Sequence, residues 1–541
     1  MKLYKTVFVL LLLFSFFIRF YRLSSIPEGF HADETDYGYN AYSLLRTGKD
    51  EYGKPFPLIY RSFGDYKGAI YAYLTIPFIA TAGLNEWSVR APSAVFGVLF
   101  TVLTFAIVYQ ISKNYRLAIL SMALAVISPL GLLLSRVQSD PLVGVFFFYL
   151  GFYLFLLWTE HKRIWHLLAA VGSLYIGFFT YSNDQLFVMP FLVLLGVRYW
   201  NSWNISVRAT TIILFCIFSL TVAGIVVTSA GTRLGQVSIF STRDVQLPLE
   251  EKIREDGAMK EPLLITRAFH NKVTAYGQYL IDNFASYLSY NFLFRQATEP
   301  QREQVPDSGV LLLIDLPFLL IGIYTVFRKK YSYGIMAILW VLMVPFALSF
   351  TSGETPNIHR FIWAVIPIYL LTATGILAAY DATSRRYRMF LIVCITALFL
   401  LNESIYLERL FVHQPIHNPI YRNGPDKELA IALKGYSSSY DIIVSQKILE
   451  DMLFFWPIDP ATYQKEGSPR DTDNAWYRNF LFVTDACPSK ILNPNIQALK
   501  EARILYVDKA ECSLEKNDVI IKTIKYKNTL NAYYLIEKST L

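Results

Sequence analysis

Long apolar runs joined by short polar connections fill the chain up to residue 407, and a different pattern takes over from there to the C-terminus. A bilayer core about 30 Å thick needs about 20 apolar helical residues, because lipid offers no partner to a bare peptide group. Runs that meet or approach that length lie near 5–23, 92–110, 117–134, 141–158, 164–181, 186–200, 209–228, 309–327, 333–350, 361–380 and 389–407, which predicts eleven membrane helices. The first run continues into Arg19-Phe-Tyr-Arg22 without a small-residue cleavage site, so it reads as a retained anchor. A further segment, 69–84, is shorter, carries Pro77 and is dense in Tyr. From 408 onward, β-rich runs (Asp441-Ile-Ile-Val-Ser, Phe480-Leu-Phe-Val-Thr, Ile504-Leu-Tyr-Val-Asp, 519–524, 533–536) alternate with helix-like stretches such as Asp426 to Lys434. The expected fold is therefore mainly α. It is a polytopic membrane helix bundle over 1–407, with outer-face juxtamembrane helices in a first outer loop at 24–91 and a long outer loop at 229–308. A small soluble extracytoplasmic α/β domain follows over 408–541.

Composition agrees with that pattern. Only 17% of residues are charged and 54% are hydrophobic, against roughly 25% charged in a soluble domain, which excludes a disordered or an ordinary soluble chain. The net charge of +8 would suggest nucleic acid in a soluble protein. Here the excess sits in connections between apolar runs, so no nucleic-acid partner is expected. If segment 69–84 lies along the membrane, one set of connections carries Lys113, Arg116, Lys162, Arg163, Arg198, Arg208, Arg328, Lys329, Lys330, Arg385, Arg386 and Arg388 against only Glu160 and Asp381. The opposite turns hold Arg136, Asp140, Asp184, Glu354 and Arg360. The positive-inside rule then puts the N-terminus in the cytoplasm and makes 69–84 an interfacial or re-entrant helix. The outer face receives 24–91, the turns at 135–140, 182–185 and 351–360, the loop 229–308 and the tail. Polar complexity on one side argues for a site at the outer membrane surface.

Four cysteines form no metal-binding pattern. Cys216 and Cys394 fall in membrane helices. Cys487 and Cys512 both lie in the external tail, where an oxidising compartment permits a disulfide if their Cα atoms approach within about 7 Å; two free thiols are the alternative.

Candidate chemistry is confined to the outer face. In Ile26-Pro-Glu-Gly-Phe-His-Ala-Asp33-Glu34-Thr35-Asp36, a helix follows with Tyr37, Ala41, Leu44 and Leu45 on one face and Gly48 at its end. Asp33 reads as an N-cap with Asp36 three residues on. It reads equally as a carboxylate kept ionised at a helix N-terminus, ready to accept a proton from a hydroxyl. Asp65 and Lys67 flank the interfacial segment, where the lysine either snorkels to headgroups or grips a lipid phosphate. Asp140 stands before Pro141 at a helix start, as an N-cap or as an acid of the site. His359 and Arg360 stand at the outer entrance of another membrane helix. Together these acids and bases converge on one face of the membrane.

The order of these features resembles the GT-C glycosyltransferase superfamily. His31-Ala-Asp-Glu34, Asp65-Tyr-Lys67, Asn85-Glu-Trp-Ser-Val-Arg90-Ala-Pro-Ser-Ala, Ser135-Arg136 with Asp140-Pro141, and His359-Arg360-Phe361 with Pro367 carry the likeness, over roughly residues 1–405. Within the superfamily the bacterial protein O-mannosyltransferase and aminoarabinose transferase branch is most similar. The resemblance implies a polyprenyl-phosphate-linked sugar as donor and an acceptor glycan, lipid or protein. It also implies Asp33 as the base with Glu34 its neighbour, Lys67 as the phosphate-binding lysine, Asp140 as a second loop acid, and His359 and Arg360 near the donor phosphate. His270, Lys272 and Arg302 are further polar contacts by the same likeness. Two departures stand out: Gly68 follows Lys67 where the family has Pro, and Tyr181-Ser-Asn-Asp184-Gln185 occupies a turn where many relatives carry Arg.

A sugar phosphate needs a cationic cradle for its leaving group and a base for its nucleophile. No nucleotide-binding loop is present. No cofactor is expected, and assistance by a divalent metal is left open. A lipid-linked glycan polymerase or ligase is the nearer alternative. A transporter or flippase would place ionisable residues near helix midpoints instead of outer ends.

Overall fold

Among the described residues, five helices are long and apolar enough to cross a membrane: Glu86–Ser112, Asp140–His161, Ser332–Ser349, Ile358–Ala382 and Arg388–His413. They coincide with five of the expected spans. The computed structural model describes residues 2–62, 64–181, 184–200, 203–227, 238–297, 300–417, 419–446, 448–470, 472, 474–490 and 502–539. Other expected spans occupy helices of different extent. The first is Lys2–Phe20, and the interfacial segment is the 13-residue helix Ile70–Ala82 with Pro77 inside. The run 117–134 is broken into Tyr115–Val126 and Pro129–Leu134, because Ser128 caps a new helix with Pro129 in its first turn. The run 309–327 becomes helical only at Asp315, whose carboxylate accepts the Leu312 amide at 3.0 Å. The loop 229–308 is helical over Gln246–Ala258, Leu263–Phe269 and Lys272–Tyr287; its residues 229–237 lie outside the described residues, as do Ser182 and Asn183.

The chain divides into two compact units. The first comprises Met1–Tyr21, Ser93–Ser135 and Ser139–Arg409; the second comprises Arg22–Pro92, Arg136–Gln138 and Leu410–Leu541.

In the first unit, helices meet through small residues and aromatic rings. A Cβ built on Gly375 would lie 1.8 Å from the Phe318 carbonyl oxygen, and one on Gly322 would lie 1.9 Å from that of Leu371. Helices Asp315–Lys329 and Val365–Ala382 thus touch backbone to backbone, which only glycine allows. Around Trp363, Phe148 and Phe187 pack at 4.4 and 4.6 Å, while Tyr149 Oη and Trp340 Nε1 donate to its carbonyl at 2.6 and 2.7 Å. Three of the helices end on a lysine in the left-handed conformation, at Lys113, Lys162 and Lys330, which sets a cation at the negative end of the helix dipole. Arg116 Nε donates to Tyr4 Oη at 3.2 Å, and Lys113 pairs with Glu160 at 3.2 Å. The N-terminus and two of the basic connections therefore share one end of this unit.

The second unit holds the loop after the first helix and the tail. The loop contributes the helix Ala32–Thr47, which ends at Gly48 (φ +69°), and a hairpin of β1 (Ile59–Ser62) and β2 (Asp65–Gly68) in the register Tyr60 opposite Lys67. The tail is the expected α/β structure. Its strands are β3 (Ile442–Gln446), β4 (Trp476–Tyr477), β5 (Phe480–Val483), β6 (Ile504–Lys509), β7 (Asp518–Lys525) and β8 (Asn531–Lys538), ordered β4-β5-β3-β6-β8-β7. β3 runs parallel to β5 and β6, and the other pairings are antiparallel. Tyr39 of the loop helix belongs to the same apolar cluster as Leu429, Leu433, Ile443, Leu453 and Tyr463 of the tail. Cys487 and Cys512 are disulfide-bonded, with Cα atoms 5.7 Å apart.

Candidate active site

Asp33, Glu34 and Asp36 occupy the first turns of one helix, yet the fold treats them differently. The N-cap is His31, whose Nδ1 accepts the Asp33 amide at 3.2 Å, and Glu34 at N3 accepts the His31 amide at 3.0 Å. This corrects the expected box of Asp33 and Asp36. The helix starts two residues earlier, so Asp33 has no capping duty.

Glu34 is buried and clamped. Arg90 donates to it at 2.7 and 3.2 Å, Arg422 at 2.6 Å and the Gln138 amide at 3.2 Å. Burial alone would raise its carboxyl, but Arg90, Arg422 and the His31 amide outweigh burial and hold it at about 2. Arg90 also ties the loop together through the carbonyls of Leu23, Pro27 and Gly29 at 3.1, 3.0 and 2.6 Å. Glu34 is thus a strut of the loop.

Asp36 is buried as deeply. It accepts from Tyr60 Oη at 3.0 Å, Ser62 Oγ at 2.9 Å, Asn40 Nδ2 at 3.2 Å and Arg470 Nη1 at 2.6 Å. Asp33 keeps 31% of its side chain exposed, against 10% for Lys67. The Lys67 ammonium contacts the Asp33 carboxylate, stands 3.4 Å from Asp36 and lies 5.5 Å from the centre of the Tyr37 ring. Lys67 is carried by strand β2, so the hairpin sets its reach. Its ammonium is held by acids instead of snorkelling. Asp65 begins the same strand, and its side chain lies outside the described residues.

The other expected residues belong to the first unit. Asp140 opens the helix Asp140–His161, but Ser139 is its N-cap and accepts the Leu142 amide at 3.2 Å; the capping reading of Asp140 is corrected accordingly. His359 and Arg360 lie in the short helix Ile358–Phe361, whose cap Asn357 accepts both their amides at 2.9 and 3.3 Å. Arg360 is buried and donates to Thr351 Oγ1 at 2.9 Å and the Ser352 carbonyl at 3.3 Å. Arg302 stands 3.7 Å from Glu354, which accepts from Asn357 Nδ2 at 3.0 Å, so these three residues and the His359-Arg360 turn form one polar cluster. His270 is paired with Asp256 at 2.6 Å, and Lys272 opens the helix Lys272–Tyr287 behind the cap Asn271. Both lie in or beside the helices of the loop 229–308 and not in the Arg360 cluster. Among the described residues, no group of three or more His, Cys, Asp or Glu side chains is placed to hold a metal ion. Arg90 was visible only as part of a motif. Arg422 and Arg470 carry no local signal.

Residues 9–237 match the family model of the dolichyl-phosphate-mannose-protein mannosyltransferases. Among solved structures, ArnT from Cupriavidus metallidurans matches in its apo state with a TM-score of 0.53 and 11% identity, over 98% of each chain. The same protein bound to undecaprenyl phosphate gives 0.52 and 11%, again over 98% of each chain. The Archaeoglobus fulgidus oligosaccharyltransferase tethered to an acceptor peptide gives 0.50 and 12%, over 84% of this chain and 63% of that one. No curated protein sequence matches the chain. The chain is thus a multi-pass membrane protein that shares the fold of ArnT, and its residues 9–237 are similar to the dolichyl-phosphate-mannose-protein mannosyltransferases.

Proposed function

We propose that the enzyme transfers a sugar from a polyprenyl-phosphate donor to an acceptor hydroxyl at the outer face of the cytoplasmic membrane, with Asp33 as general base. The observation that carries this reading is the contrast within one helix turn. Glu34 and Asp36 are buried under arginines, whereas Asp33, beside Lys67, keeps about a third of its side chain exposed. In this reading Asp33 takes the proton of the acceptor hydroxyl as its oxygen attacks the anomeric carbon. The bond between that carbon and the phosphate oxygen breaks, and the phosphate leaves on its lipid carrying the bonding electrons. Lys67 supplies a cation for the leaving phosphate. The donor-phosphate roles implied for His359 and Arg360, and the acid role implied for Asp140, stay part of the proposal. A polyprenyl phosphate donor is supported by the likeness to ArnT, a protein solved with undecaprenyl phosphate bound. The sidedness is supported by the basic connections that gather with the N-terminus at one end of the first unit. Purified enzyme incubated with polyprenyl-phosphate sugars should release polyprenyl phosphate; no release with any donor of this class overturns the reading.

A further inference from the structure

The tail reaches the loop acid Asp36 through a buried arginine. Arg470 follows the helix Pro460–Glu466 and donates to Asp36 at 2.6 Å, to Glu51 at 2.5 Å and to Glu450 at 3.2 Å. Its approach is fixed by Gln464, whose Nε2 donates to Ser43 Oγ, Thr47 Oγ1 and the Asp50 carbonyl at 3.0, 3.0 and 2.9 Å. Asp36 is therefore shared: Arg470 and Asn40 take Oδ1, while Tyr60, Ser62 and Lys67 take Oδ2.

We propose that Arg470 is a positioning residue for glycosyl transfer, which satisfies Asp36 from one side and so leaves the Lys67 ammonium to Asp33. The proposal rests on the reading of Asp33 as base. Lys67 faces two carboxylates and contacts Asp33 more closely than Asp36. With Arg470 in place, Asp36 has a second cation beside Lys67 and three neutral donors, Asn40, Tyr60 and Ser62. Without Arg470, a buried carboxylate retaining only Lys67 as a cation competes for it directly, and Asp33 loses the charge that keeps it ionised. The groups facing this pair are His31, 3.4 Å from Asp33, the Tyr37 ring and the Tyr60 hydroxyl. Those facing Arg470 are Asp36, Glu51 and Glu450, with Asp451 and Tyr463 close by. Burial pushes Glu51 up to about 8, with Asp36 and Glu450 adding to the rise and Arg470 opposing it.

The test uses the full-length enzyme in detergent and two readouts, the pH profile of polyprenyl phosphate release and the rate at which Lys67 is acylated, followed by peptide mass spectrometry. In Arg470→Gln, loss of the nearby cation should raise the Lys67 pKa, slow its acylation about tenfold per pKa unit and move the acid limb of transfer to higher pH. Arg470→Lys should show a smaller shift in the same direction. Adding Asp36→Asn to Arg470→Gln should restore both readouts, a rescue that general loss of packing would not give. If Arg470→Gln does not fold, Asp36→Asn alone decides, and it should speed Lys67 acylation. Unchanged Lys67 acylation in folded Arg470→Gln, or in Asp36→Asn, overturns the proposal. Lys67 labelling does not need transfer, so failure of Asp33 as the base appears separately, as retained transfer by Asp33→Asn.

Discussion

Lys67 lies between Asp33 and Asp36, one helical turn apart, contacting the first and standing 3.4 Å from the second. Residues three apart share a helix face, so a cation carried by the neighbouring hairpin addresses both acids at once. The hairpin pairs Tyr60 with Lys67, and Tyr60 itself donates to Asp36 at 3.0 Å. Strand pairing thus sets the acid and its counter-ion in one act of folding.

Replacing Asp33 by Asn should leave the helix intact, because His31 and Glu34 form the capping box. The fold of the variant is therefore not in question, and its chemistry is. Loss of a general base costs roughly 10²- to 10⁴-fold in turnover. We expect Asp33→Asn to bind donor, melt like the parent and release polyprenyl phosphate at that reduced rate. Near-normal release would move the role elsewhere.

Glu34 should act on stability instead. Removing one partner of a buried ion pair costs about 3–5 kcal/mol, and Glu34→Gln leaves Arg90 and Arg422 facing a neutral amide. A much lower melting temperature in detergent is the expected result. The folded carboxyl sits at about 2, against an ordinary glutamate value of 4.5. It is a depressed acid, so its contribution is complete above pH 4.5 and lost as pH falls towards 2. Glu51 has the opposite sign. At about 8 in the fold it is a raised acid, so the protein should lose stability as pH rises from 4.5 through 8, and Glu51→Gln should flatten that limb. Melting curves across pH that show neither slope would contradict both assignments.

Much of this was written in the sequence. The apolar runs foretold the spans that survive as long helices, and the alternating tail foretold five of the six strands of its sheet. Breaks inside runs were harder to see, since Ser128-Pro129 interrupts an apolar stretch whose composition is otherwise uniform. The clamp was out of reach for a physical reason. Arg470 meets Asp36 across 434 positions, and an arginine in a polar turn gives no sign that three acids will bury it. Glu34 and Asp33 are adjacent in the chain, and only tertiary contacts reveal that one is a strut and the other exposed.

Neutralising Lys67 or Arg360 should weaken donor binding more than acceptor binding, because a charge-assisted contact to phosphate is worth about 1.5–3 kcal/mol. The two differ in what they leave behind. Lys67→Ala leaves Asp33 and Asp36 facing each other, so it should also raise the acid limb of the pH profile. Arg360→Ala removes a donor to Thr351 and Ser352 and should leave that limb in place. Titration of each variant with a polyprenyl phosphate measures the first effect. Unchanged affinity in Lys67→Ala would make it a counter-ion of the loop acids alone.

Sidedness is open to a direct experiment. The connection at 113–116 shares an end of the first unit with Tyr4 and Glu160, and the basic side chains there call for the cytoplasm. The tail carries a disulfide between Cys487 and Cys512, a bond that persists in oxidising compartments and is rare in the cytosol. Two independent kinds of chemistry therefore lead us to predict opposite sides for these two regions. Single cysteines placed at Asn114 and Lys525 in a background lacking Cys216 and Cys394 should react differently with an impermeant maleimide applied to intact cells. We expect labelling at 525 without permeabilisation and at 114 only after it. Labelling of both from the same side would reject the topology, and with it the location of transfer at the outer face.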